Sequence, residues 1–168
     1  MLGLKPGVVP FVARDLHKKG KGQLLISVAA GIDTKKIQQY FGSDWRFVRA
    51  MPNTAVTVGE GATVYCLGEG AGQADGQIVQ KLFSSVGFCA RVQEGQIDAV
   101  TGVSGSGPAY MYVILEAMAD EGVRQGLERH ISYSLAAQTM VGAGRMVLDT
   151  WDVRAVLGDQ DSATMATR

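Results

Sequence analysis

The chain has 168 residues, 46% of them hydrophobic and 19% charged, and its formal net charge is zero. That balance excludes a disordered chain, which has too little apolar surface to bury, and a nucleic-acid binder, which needs a basic field. The length suits one ordinary domain or two small pieces that share a core.

Glycine is the first compositional anomaly, with 22 residues against a background of roughly 7%, so many positions need positive φ or close packing. Cys66 and Cys89 are too few for a disulfide scaffold and lack CxxC spacing. They read as two reduced thiols in a cytosolic or matrix protein, with no metal site. His17 and His130 lie far apart without nearby carboxylate pairs and receive no role. The apolar stretches fall short of the roughly 20 residues that cross a bilayer, and residues 1–6 carry no signal-peptide pattern. A soluble compartment is expected, cytoplasmic or mitochondrial.

From Pro6 to about Lys19, Val8, Val9, Val12 and Leu16 recur at helical spacing and Pro10 is tolerated in a first turn, predicting an amphipathic helix. The apolar run from Leu24 to Ala30, bounded by Gly22 and Gly31, has the signature of a strand buried on both faces of a parallel sheet. Asp33 or Thr34 caps a helix with Ile37 and Phe41 on one face. Residues 45–49 form a strand ended by Met51 and Pro52, and residues 62–67 form another. Asp75 is expected to cap a helix carrying Ile78, Val79, Leu82 and Phe83, and Phe88 to Val92 returns as a strand. Strands and helices therefore alternate.

Beyond about Glu94 the strands stop. From Ala109 to Val123 apolar side chains occupy nearly the whole circumference of one helix, and a helix apolar all round must be buried on all sides. One further helix, about Ser132 to Leu148, cannot cover it, so a partner chain is expected to complete the core. The tail from Trp151 has no clear period and is expected to be weakly ordered.

The chemistry readable from residues alone is faint. No Ser/His/Asp arrangement is present, and every G-x-G lacks a Gly or Ala at the sixth position of the dinucleotide fingerprint. Ligands of open parallel sheets bind at the carboxyl ends of the strands, which draws attention to Lys5 and Pro6, to Ala29 through Gly31, and to Met51 through Thr54. Lys5 can set an ammonium beside a phosphate, while Ala29 and Ala30 leave room for a flat ring. Each feature also has an ordinary reading: a solvated lysine, tight packing, a plain turn. The run from Val103 to Tyr110 offers either free helix-start amides to an anion or a glycine hinge for close packing. Glu94, just after the last strand, is by default a surface carboxylate.

The ordered set K-P, S-x-A-A-G, R-x-M-P-N-T, D-A-V-T-G-x-S-G-S-G-P-A-Y and E-A-M-A-D, across about residues 2–150, resembles pyrroline-5-carboxylate reductase. The resemblance implies a partial Rossmann-type NAD(P)-binding domain over residues 1–94, α/β with a parallel sheet, and then an all-α dimerisation and substrate domain over 95–150. Residues 151–168 form a divergent tail. It also implies NADPH- or NADH-dependent reduction of 1-pyrroline-5-carboxylate to L-proline, and a homodimer that assembles further into a ring of dimers. By the same resemblance Gly3, Leu4, Lys5 and Pro6 pass the cofactor's diphosphate and nicotinamide end, and Val28, Ala29 and Ala30 line the nicotinamide. Glu94 helps hold the substrate's ring nitrogen, and Asn53 lies near that pocket. No catalytic residue is assigned.

The family's first strand, glycine-rich turn and helix have no counterpart here, nor does its S-P-G-G-x-T loop, and Arg145 replaces the usual lysine. A fragment is therefore expected, one that alone reduces no imine. The alternative is a non-catalytic module of the same family that keeps only the dimerising helices.

Overall fold

Four apolar runs become the strands β1 (Leu24–Ser27), β2 (Arg46–Met51), β3 (Gly61–Leu67) and β4 (Gly87–Arg91) of one sheet, in that order, in a computed structural model that describes residues 1–16 and 20–151. β1 pairs with β2, and β3 with β4, in parallel, so the sheet is mostly parallel as expected, and only β2 and β3 are antiparallel. The reason lies in the connection. Between Met51 and Gly61 the chain makes only a short 3₁₀ turn, Thr54–Val58, whereas a parallel return needs a crossover of about a dozen residues or more. β1 also ends earlier than the sequence suggested, leaving Val28 to Ala30 as a loop.

Leu2 extends the sheet edge beyond β1. Its amide donates to the Ile26 carbonyl at 2.7 Å, and the Leu2 carbonyl accepts the Val28 amide at 3.2 Å, a parallel bridge opposite Ser27.

Helices cover both faces of this sheet. A 3₁₀ turn at Pro6–Val8 leads into α1 (Val9–Leu16), and α2 (Thr34–Phe41) starts where Asp33 Oδ1 accepts the Lys36 amide at 2.7 Å. Val9, Ala13, Ile37 and Phe41 pack with Trp45 and Phe47 into one buried cluster. Phe41 meets Trp45 and Phe47 edge-on, with ring centroids 5.8 and 6.5 Å apart, the geometry that aromatic quadrupoles favour. On the other face α3 (Gln73–Ser84) lays Val79 and Phe83 on Ile26, Val48, Ala50 and Tyr65. Ile78 and Leu82, the other two apolar residues noted in this helix, are exposed; at helical spacing each lies about 100° from its buried neighbour.

Asp75 sits at the third position of α3, not at its cap, which is Gly72. Its buried carboxylate accepts the Gly72 amide at 3.0 Å and pairs with the Arg46 guanidinium at 2.7 Å. Asp75→Ala is expected to lower stability by about 2 kcal/mol, combining a lost cap with a lost charge-assisted bond to a half-exposed arginine. Urea unfolding should show a lower midpoint at an unchanged slope.

From Glu94 the chain is helical: a 3₁₀ turn at Glu94–Gln96, α4 (Ile97–Val100), a π turn at Thr101–Gly105, α5 (Gly107–Arg124) and α6 (Arg129–Thr150). Two compact units result, Met1–Pro108 and the residues from Ala109 onward. In the second, small residues let α5 and α6 approach. Ser132 Oγ donates to the Ala119 carbonyl at 2.7 Å, and a Cβ on Gly122 would lie 2.1 Å from that hydroxyl. Arg129 pairs with Glu116 and Asp120, each at 3.1 Å, and the Tyr133 hydroxyl donates to Glu116.

Among the described residues of these two helices only Ala119, Ser132 and Ala136 are buried, while Tyr110, Met111, Tyr112, Val113, Ile114 and Met118 are exposed. This is the uncovered apolar surface that the all-round pattern of α5 called for. Among the described residues no helix is long and apolar enough to cross a membrane. His17 and the tail beyond Trp151 lie outside the described residues. His130 is exposed, with Nδ1 3.3 Å from Glu128.

Candidate functional site at the carboxyl edge of the sheet

Because β1 and β2 run parallel, their carboxyl ends share one edge of the sheet. Two of the segments singled out from sequence meet there. Gly3 follows the Leu2 bridge, and a Cβ placed on it would sit 3.9 Å from Val28 Cγ2, so the two segments meet where Gly3 passes Val28.

Local chemistry explains their shapes. The Lys5 carbonyl accepts the Val8 amide at 2.9 Å and opens the turn at Pro6, where a fixed φ favours a helix start. Lys5 itself is exposed, Ala29 is buried and Ala30 is exposed. Ser27 Oγ accepts the Ala29 amide at 3.3 Å. Gly31 adopts φ +72°, with nothing within 4 Å of the place a Cβ would take. Small side chains beside open space at the end of parallel strands fit a flat ring laid against backbone.

Asn53 stands at the end of β2, where its Oδ1 accepts the Ala62 amide at 3.1 Å and ties the turn to the start of β3. Nearby, a Cβ on Gly105 would lie 2.9 Å from Met51 Cε, so Gly105 packs closely against the side chain that ends β2. In the turn that opens the glycine-serine run, Thr101 Oγ1 donates to the Ile97 carbonyl at 2.9 Å and Ser104 Oγ to the Val100 carbonyl at 3.2 Å.

Glu94 is more engaged than a surface carboxylate. Its Oε1 accepts the Thr34 amide at 2.7 Å and its Oε2 accepts the Thr34 hydroxyl at 2.6 Å. The Arg49 guanidinium lies 3.6 Å away and also 3.7 Å from Asp98. Glu94 thus satisfies a free amide at the start of α2 from 60 residues along the chain, and a carboxylate suits the positive end of a helix.

Sequence reading missed both Thr34 and Arg49 as partners of Glu94. The signal for Arg49 was its charge among the apolar Phe47, Val48 and Ala50; it is 6% exposed, and a buried arginine calls for acidic partners. Beside the network a cavity of about 480 Å³ is lined by Cys66, Arg91, Gln93, Glu94 and Gln96, among others. Burial, with help from the Glu94 charge, pushes the Cys66 thiol up to about 11 against the opposing pull of Arg49. The thiol stays protonated at neutral pH and is no nucleophile.

A mostly parallel sheet with a small-residue carboxyl edge, running into a long helical pair, defines a Rossmann-type domain joined to a helical association region. Residues 94–164 match the family described as pyrroline-5-carboxylate reductase dimerisation. A pyrroline-5-carboxylate reductase of Arabidopsis thaliana is 48% identical over 95% of this chain and 58% of its own length, and one of Glycine max is 48% identical over 89% and 55%. Among solved structures, the Plasmodium falciparum pyrroline carboxylate reductase with NADP bound superposes with a TM-score of 0.86 at 34% identity, covering 94% of this chain and 64% of that one. The Coxiella burnetii pyrroline-5-carboxylate reductase gives 0.84 at 34%, over 94% and 60%. By sequence and by fold the chain is similar to pyrroline-5-carboxylate reductases. It spans about half to three fifths of the length of the curated relatives it matches.

Proposed function

We propose that the natural protein reduces 1-pyrroline-5-carboxylate to L-proline with NADPH or NADH, as a homodimer that closes into a ring of dimers, in the cytoplasm or the mitochondrion. The observation that carries this reading is the close approach of Gly3 to Val28 at the carboxyl edge of β1, in a chain 48% identical to a named reductase over 95% of its length. The domain limits proposed are residues 1–94 for cofactor and 95–150 for association and substrate, with 151–168 as a divergent tail.

When bound, the cofactor supplies the hydride. The chain's own residues orient the reactants. Val28, Ala29 and Ala30 offer a low surface on which a nicotinamide ring lies close to backbone, and Gly3 and Leu4 leave the neighbouring strand end equally low. Lys5 sets a cation beside the diphosphate, and Pro6 fixes the turn that aims it. Glu94 faces the ring nitrogen of the substrate: reduction delivers a hydride to carbon and a proton to nitrogen, and a carboxylate beside the protonated imine stabilises the better acceptor. Asn53 holds the loop bordering that pocket.

Spectrophotometric imine reduction by the natural protein, with each nicotinamide in turn, tests the reading; association without any rate would make it the non-catalytic dimerisation module instead. Ala30→Leu is expected to weaken NADPH binding about tenfold, since the added branch occupies the ring's place at a cost of about 1–3 kcal/mol. Fluorescence titration of NADPH measures it, and an unchanged affinity would remove Ala30 from the site.

A further inference from the structure

Both oxygens of Glu94 are spoken for by one residue. Thr34 gives its amide to Oε1 and its hydroxyl to Oε2, at 2.7 and 2.6 Å, a two-pronged grip that fixes the plane of the carboxylate as well as its position. Arg49, anchored in β2 and nearly buried, supplies the balancing charge at 3.6 Å. Thr34 is itself held. It is 7% exposed, and a Cβ on Gly68 would come within 2.9 Å of Thr34 Cβ and 3.0 Å of Phe47 Cβ, so the absence of a side chain at Gly68 lets Thr34 sit where it does. Thr34 also closes the loop that begins at Val28, separated from Ala30 only by Gly31, Ile32 and Asp33.

We infer that Thr34 is a positioning residue: it sets the Glu94 carboxylate for the imine nitrogen and ties it to the loop on which the nicotinamide lies. The inference rests on the reaction proposed above. The Thr34 hydroxyl is the separable part of the grip. Valine at this position keeps the shape and the amide but removes the donor to Oε2, freeing the carboxylate to rotate about its remaining bond.

In the natural protein, Thr34→Val is expected to raise KM for the imine about tenfold, the worth of one hydrogen bond to a charged group. The kcat and the NADPH affinity should stay within about twofold, the pattern of lost uniform binding. Thr34→Ser, which restores the hydroxyl, should bring KM back to within about twofold of the parent. Gly68→Ala should move KM in the same direction as Thr34→Val by displacing Thr34. An unchanged KM in Thr34→Val, a serine variant no better than valine, or a parallel fall in kcat and NADPH affinity would each overturn the positioning role. Glu94→Gln separates the two levels of argument. If it raises KM while Thr34→Val does not, the reading of Glu94 stands and only the inference about Thr34 fails; if the parent itself reduces no imine, the reaction fails and the inference with it.

Discussion

Replacing Gly87 with alanine is expected to cost about 3–5 kcal/mol and to leave little folded protein. Gly87 opens β4 at φ +135°, and a Cβ there would lie 2.1 Å from the carbonyl oxygen and 2.4 Å from the amide nitrogen of Gly61, the first residue of β3 and its paired neighbour. Two penalties coincide. A conformation that L side chains rarely adopt costs about 1–3 kcal/mol, and overpacking adds about 1–3 more. The clashing atoms are backbone, so no rotamer change relieves them; the strands must part. Against a total stability of about 5–15 kcal/mol for a domain, such a loss should appear as a fall in soluble yield and in the urea midpoint. Gly95→Ala provides the control, because nothing lies within 4 Å of its Cβ position and its φ is ordinary, so a change within about 0.5 kcal/mol is expected. A Gly87→Ala protein as stable as that control would show that β3 and β4 do not meet at these two glycines.

The sheet and helices were legible because burial imposes simple periods. The run at Leu24–Ser27 is apolar without alternation because helices cover both its faces, and Ile37 and Phe41 lie one helical turn apart because both reach the same core. What escaped was set by geometry between distant segments. The antiparallel turn of β3 depends on the length of the connection after Met51, which a search for strand and helix periods does not weigh. Ile78 and Leu82 look like core residues by type, yet rotation about α3 turns them outward while Val79 and Phe83 face the sheet. At the site, the small-residue loop after β1 could be found by its position at a strand end. The grip of Thr34 on Glu94 could not, since it joins residues 60 apart and leaves no local pattern in either segment. Arg49 was the one visible clue, a charge set among Phe47, Val48 and Ala50 that only an acidic partner explains.

Placing a carboxylate at Ile114 is expected to weaken association of the protein by about a thousandfold while leaving the helical pair of one chain largely unaffected. Ile114 lines an open apolar groove of about 690 Å³ between α5 and α6, together with Met111, Met118, Met140, Val147 and Leu148, and it is 46% exposed in the single chain. An aspartate there stays in water as long as the chain is alone, so its cost to that chain is about the small helix-propensity difference. On association the groove is covered, and the carboxylate loses its hydration without gaining a partner among apolar walls, a penalty of several kcal/mol. A two-fold interface presents the same patch from each chain, so the penalty is met twice. About 4 kcal/mol of lost association is about a thousandfold in the dissociation constant. Sedimentation or light scattering at micromolar concentration should show the parent as a dimer or larger and Ile114→Asp as a single chain, with Glu121→Gln, on the polar exposed end of α5, behaving as the parent. An Ile114→Asp protein that still dimerises would mean that some other part of the apolar surface of α5 and α6 meets the partner.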